Sequence, residues 1–423
     1  MNTLQARSLA AFPAGSNGEF NLPPELSRVI VRGEGCRLWT SAGESMLDFS
    51  MGWGSVLVGH AHPEITTAVA EQLSRGANFA YITEQSLCLA EELIRLSPAC
   101  DTVRFCASGT EATMYCLRLA RAYTRKSKVL KFEGAYHGSH DVGVMSLFPA
   151  EKSPFPQGIA SSAGLTADSE RDVLVAPFND LATTQGILER YQKEIAAVIV
   201  EPLQRCVSPE PDFLPKLRQI CANLGILLIF DEVVTGFRLA YGGAQEYYGV
   251  TPDLVAYGKA LGGGFPIGAF GGRSDIMELV EERRLGSNET YVWVASTLGG
   301  NPVSTTAAFA ALRVFRQERT YSRLHALGNY LRESMRKVLF ERDIQAVVLG
   351  DGPLAQIAFT SQAVRDYRSS QHRDKRFARQ VMLRLFADGI FLNPMGTKLY
   401  LSCAHDESVC DEFCDKLASA LAG

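Results

Sequence analysis

The chain has 423 residues, room for two or three domains at roughly 100–200 residues each. With 46% hydrophobic and 21% charged residues, it is excluded from the wholly disordered class. Its 42 basic and 46 acidic side chains leave a net charge of −4, with no basic footprint for nucleic acid and no polybasic patch for a membrane.

The N-terminal MNTLQARSLAAFPAGS has no basic stretch followed by a sustained apolar run, so no signal peptide is expected. Apolar runs such as Ile226–Phe230 have strand length, far short of a bilayer span. The ten cysteines are scattered, without CxxC spacing, and read as reduced thiols of a cytoplasmic protein; no metal site is expected.

From about Leu47 to Gly272 short apolar runs alternate with amphipathic segments. Val103–Cys106, Val129–Phe132, Ala197–Glu201, Ile226–Phe230 and Ile267–Gly271 read as strands, and Glu111–Thr124 as one of the helices between them. That alternation predicts a mainly parallel sheet covered by helices. The segment 150–170, rich in Ser, Pro and Gly, reads either as a lid or as a surface insertion. After Pro302 come helical patterns to Phe315 and over Tyr321–Arg342, strands at Gln345–Leu349 and Gln356–Phe359, a helix near Arg373–Asp388 and a strand at Lys398–Ser402. This predicts a smaller α+β domain. The expected division is 1–50 as an N-terminal segment with few helical signals that packs on the small domain, 51–300 as the large domain and 301–423 as the small one.

Three motifs carry chemistry. Ser108-Gly109-Thr110-Glu111 closes a strand and opens a helix, a setting whose free N–H groups and dipole suit an anion. Alone it reads equally as a plain N-cap. Asp231 and Glu232 stand at the end of an apolar strand, where open α/β sheets bind ligands; alone they could simply cap a helix. Lys259 lies between an apolar strand and Gly262-Gly263-Gly264, where a ligand can approach the backbone closely; alone it could be a solvated turn lysine. Together, an anion cradle, a carboxylate and a lysine at one sheet edge suit pyridoxal phosphate, with Lys259 forming the imine and Asp231 pairing with the pyridinium nitrogen.

In family order, the chain carries Gly59-His60-Ala61-His62-Pro63, Gly134-Ala135-Tyr136-His137-Gly138, Val200-Glu201-Pro202, Asp231-Glu232-Val233-Val234-Thr235-Gly236-Phe237-Arg238, Gly258-Lys259 and Ser296-Thr297-Leu298-Gly299-Gly300-Asn301-Pro302. From about Val31 onward it resembles the class III, fold-type I pyridoxal-phosphate aminotransferases, in their glutamate-1-semialdehyde 2,1-aminomutase branch. The resemblance implies an α/β fold-type I transferase and a homodimer with shared active sites. It implies that Lys259 and Asp231 are catalytic and that Gly109 and Thr110 bind the phosphate. Tyr136 would stack on the cofactor ring, with Val233 on its other face and Glu201 nearby. Thr297 would reach the phosphate of the neighbouring subunit, and Trp53 would stand at the substrate entrance. His137 would either contact the cofactor or only hydrogen-bond within its loop.

The substrate half departs from the branch. Aminomutases hold the substrate carboxylate with an arginine where this chain has Gly15–Asn21, and they have a glutamate where it has Asn393–Lys398. Leu203-Gln204-Arg205-Cys206 replaces a small residue and an asparagine, and Arg205 is the replacement cation that position offers. The expected activity is therefore amino transfer between an amino donor and a small keto or aldehyde acceptor, through a Lys259 imine and pyridoxamine phosphate. The aminomutase is the alternative, followed by a racemase or epimerase. A nicotinamide dehydrogenase is disfavoured because no GxGxxG follows the first strand.

Overall fold

The computed structural model describes residues 3–16, 18, 20–149, 151–393 and 398–422. Its centre is a seven-stranded sheet. In spatial order the strands are Thr102–Cys106, Gly268–Gly272, Leu254–Tyr257, Leu227–Asp231, Ile195–Val200, Lys128–Phe132 and Val173–Ala176. The last five run parallel, and Gly268–Gly272 is antiparallel to both its neighbours.

The near-continuous apolarity of the central strands follows from their place. Leu228 and Phe230 enter one hydrophobic core and Leu227 and Ile229 the other, because successive side chains point to opposite faces and helices cover both. The helix Gly109–Thr124 packs on one face. Helices Pro63–Arg75, Glu84–Leu96 and Pro302–Phe315 pack together around the other core. Gly268 is obligatory where the antiparallel strand passes the turn before the Gly109 helix, since a Cβ there would collide with the Ser108 carbonyl.

A third core joins residues from both ends of the chain, with Cys36, Leu47 and Phe49 packed beside Leu331, Leu385 and Phe413. Two smaller sheets frame it. Ser45–Asp48 pairs in parallel with Ile390–Phe391, and Leu354–Ala358 pairs antiparallel with Val347–Leu349 and Lys398–Tyr400. Tyr400 N–H donates to the Phe49 carbonyl at 2.8 Å, which fixes this last strand against the segment leading to Trp53.

Some expectations need correction. The N-terminal stretch read as poor in helix contains the helix Thr3–Ala11, whose Gln5 side chain donates to the carbonyls of Pro24 and Ser27. The strand expectations omit Val173–Ala176, a short edge strand whose four apolar residues are all buried and which pairs with Lys128–Phe132. The strand expected to include Glu201 stops at Val200, which leaves Glu201 free to turn toward the site. Within the segment 150–170, Gln157 and Ala160 are tied to the body by the bridges Gln157–Leu174 and Met145–Ala160.

Candidate active site

At the carboxyl ends of the parallel strands lies a cavity of about 500 Å³. Leu227–Asp231 and Leu254–Tyr257 are neighbours, with Asp231 paired to Ala256, so Asp231 and Lys259 reach this cavity from adjacent strand ends. Asp231 is only 4% exposed. Its Oδ2 accepts from His137 Nδ1–H at 2.7 Å and its Oδ1 accepts from Val233 N–H at 3.1 Å. His137 therefore does more than tie its own loop together: it steadies the carboxylate, while its Nε2 is buried without a partner.

Lys259 begins a tight turn with φ of +44°, a left-handed conformation rare for a residue with a side chain. Burial pushes its amine below the ordinary lysine value, opposed by Tyr400 and Asp231 and aided by the positive charge of Lys398. Gly109 and Thr110, the first turn of their helix, line the same cavity, with Ser108 accepting from Glu111 N–H as the N-cap. A Cβ on Gly109 would meet Val233 at 2.7 Å, so glycine keeps the cradle open. Tyr136, Val233 and Glu201 complete this half, and Glu201 Oε1 accepts from Tyr136 N–H at 2.7 Å. These residues fit pyridoxal phosphate: a helix start for its phosphate, a fixed carboxylate, an aromatic and an apolar side chain, a depressed lysine and an orphaned buried His137 nitrogen.

The other half is unusual. Met51, Gly52, Trp53 and Gly54 all have positive φ, forming a left-handed turn that puts Trp53 at the cavity beside Phe20, ring centroids 5.6 Å apart. Arg205 and Cys206 also have positive φ, in a tight turn closed by hydrogen bonds between Gln204 and Val207. Arg205 Nε donates to the Gly134 carbonyl, and its guanidinium lies 5.8 Å from the Tyr136 ring centroid and 5.9 Å from that of Phe148. Gly18, Asn393 and Lys398 also line the cavity. So all three stretches that depart from the aminomutase pattern meet the site, although Asn17, Glu19 and residues 394–397 lie outside the described residues. Thr297 is not brought into this chain's cavity. It is exposed, and its carbonyl accepts from Asn78 Nδ2 at 3.0 Å.

Sequence reading missed Lys131 and Lys398. Lys131 is fully buried and donates to the carbonyls of Ala135, Gly143 and Met145 at 2.6–3.0 Å, locking the loop that bears Tyr136 and His137. Burial pushes its pKa down to about 7, against Glu201. Neither carried a local signal: Lys398 opens its strand, and Lys131 lies in a strand that already begins with a lysine.

The sequence profile of the family described as Aminotransferase class-III matches residues 22–421. The chain is 41% identical to the glutamate-1-semialdehyde 2,1-aminomutase of Methanopyrus kandleri, over 90% of this chain and 87% of that protein. Among solved structures, it superposes on an omega-transaminase from Sphaerobacter thermophilus with a TM-score of 0.92 at 35% identity, covering 99% of this chain and 96% of that one. It superposes on a transaminase with PLP bound with a TM-score of 0.88 at 28% identity, covering 99% and 96%.

Lys131→Met should strand three carbonyl acceptors and lower stability by about 3 kcal/mol, loosening the Tyr136 loop. Denaturant unfolding, with cofactor affinity measured alongside, checks this; an unchanged midpoint would refute the locking role.

Proposed function

The chain belongs to the class-III aminotransferases, enzymes dependent on pyridoxal phosphate, and from that premise we propose that the cavity at its strand ends transfers an amino group between a donor and a small keto or aldehyde acceptor. The observation that carries the proposal is the arrival of Asp231 and Lys259 in one enclosure from adjacent strands. When bound, pyridoxal phosphate supplies an aldehyde that captures amines and a ring that accepts electron density from the carbon bearing them.

The chain's own residues do the rest. Lys259, whose amine burial pushes below the ordinary lysine value, would hold the cofactor through its aldehyde and move a proton at the reacting carbon. Asp231, held by His137, supports positive charge on a ring nitrogen. The helix start at Gly109 and Thr110 holds the phosphate, and Tyr136 and Val233 flank the ring. Glu201 positions Tyr136 through its backbone N–H. Trp53 and Arg205 meet the substrate.

A homodimer is supported by the surroundings of Thr297. Phe79, Tyr81, Ile82, Trp293 and Leu298 are exposed there, and the Asn78–Thr297 bond brings their two segments together. A second copy would cover such an apolar patch and let Thr297 serve its neighbour's site. Ten free thiols suit a reducing cytoplasm.

A second reading, the intramolecular amino shift of an aminomutase, is favoured by the identity to the Methanopyrus kandleri enzyme. The stretch Gly15–Asn21, which reaches the cavity at Gly18 and contains no arginine, favours the first.

Borohydride treatment of the cofactor-loaded protein, followed by peptide mapping, should place the label on Lys259; label on another lysine would remove the assignment. Asp231→Asn should fold and lose turnover on the order of 10²–10³-fold, read as single-turnover amine transfer; near-parental turnover would rule Asp231 out. Mixing inactive Lys259→Ala and Thr297→Ala chains should restore activity in mixed dimers, and none on verified subunit exchange would confine the site to one chain. Glutamate 1-semialdehyde should be converted with a specificity constant about two decades below that of an authentic aminomutase; equal constants would establish the second reading.

A further inference from the structure

Lys398 opens the strand Lys398–Tyr400 and is 9% exposed, yet it lines the cavity that holds Lys259, Glu201 and Arg205. Its Nζ lies 4.8 Å from the centre of the Tyr400 ring. Among the described residues, no carboxylate comes within ion-pair distance of it. Burial opposes its charge, but Tyr400, Cys206 and the Glu201 carboxylate more than offset that and hold its pKa above the ordinary lysine value. Lys398 is thus a cation in a cavity wall that also carries the Glu201 and Asp231 carboxylates, neither within ion-pair distance of it. A buried charge without an ion-pair partner is costly, and an anion entering the cavity would relieve that cost.

The strand is not free to carry the charge away. Tyr400 N–H is bonded to Phe49, Leu399 pairs with Ala355, and the Tyr400 ring packs under the Arg238 guanidinium. The cavity's other substrate-side cation, Arg205, is anchored to the Gly134 carbonyl and stacked beside Tyr136 and Phe148.

We propose that Lys398 anchors a carboxylate subsite, so that the substrate is an amino or keto compound carrying an acidic group beyond the carbon that exchanges nitrogen. The proposal rests on the reading of the cavity as the amino-transfer site. It assigns the acid-binding role to the strand at the C-terminal end of the chain, in place of the N-terminal stretch that lacks an arginine. The competing role for Lys398 is purely electrostatic, because its charge also lowers the pKa of Lys259.

The test uses the cofactor-loaded enzyme and glutarate, a dicarboxylate with no amine to react, titrated by calorimetry, with glutaramide as the uncharged control. The parent should bind glutarate and not glutaramide. Lys398→Gln should weaken glutarate on the order of ten- to a hundred-fold, and Lys398→Arg should keep most of the affinity. Failure of the parent to bind glutarate, or equal binding by Lys398→Gln, would overturn the subsite. So would a Lys398→Gln variant that only raises the pH at which Lys259 titrates. If Lys398→Gln does not fold, protection of Lys398 by glutarate against an amine-acylating reagent in the parent takes its place, and absence of protection overturns the proposal. Borohydride labelling is independent of these readouts, so a wrong amino-transfer site and a wrong subsite give different results.

Discussion

The site hangs on the carboxylate of Asp231. It is the last residue of a strand whose other four residues are buried in two separate cores, so the sheet fixes its position before any ligand arrives. A carboxylate held at 4% exposure is tolerable only if its oxygens find donors, and they do, in His137 Nδ1–H and Val233 N–H. Those two bonds draw in the Tyr136–His137 loop and the turn carrying Val233. The cavity walls are therefore set partly by the need to satisfy one buried acid.

Three lysines lie in or under the same enclosure, and burial treats each differently because their partners differ. Lys131 is surrounded by backbone carbonyls, which hold its amine by hydrogen bonds while burial drives its pKa down to about 7. Lys259 is depressed by burial and by its neighbour Lys398, the setting that the proposed amino-transfer role asks of its amine. Lys398 is raised, which suits a group that must stay charged. One residue type thus occupies three electrostatic settings within one small region, a structural tie, a depressed amine and a raised one.

Backbone strain is concentrated on the substrate side. The left-handed turn at Met51–Gly54 and the paired positive φ values of Arg205 and Cys206 each cost about 1–3 kcal/mol per strained residue. Arg238, buried between them, donates to the carbonyls of Gly54 and Val234, and so couples the Trp53 turn to the segment following Asp231. Such strain persists because rigid surroundings over-determine it, and here it presents Trp53 and Arg205 to the cavity.

Much of this was legible in the sequence. Runs such as Leu227–Phe230 are apolar at every position because both faces of the strand are covered, and that alone announces a buried parallel sheet. The motifs around Gly109, Tyr136, Asp231 and Lys259 pointed to residues that the fold brings to one cavity, and three of them sit at a strand end or helix start that their neighbours mark. Lys398 carried no such mark. A lysine beginning a short strand reads as solvated until folding joins that strand to Phe49 and Ala355 and turns its side chain into a cavity built by residues far away in the chain. The same holds for Lys131 and for the His137–Asp231 bond, which joins positions 94 residues apart. Local propensity and spacing determined where the strands end; only the packing of distant segments decided which charged side chains are buried there, since burial and the distance between charges are properties of the folded assembly.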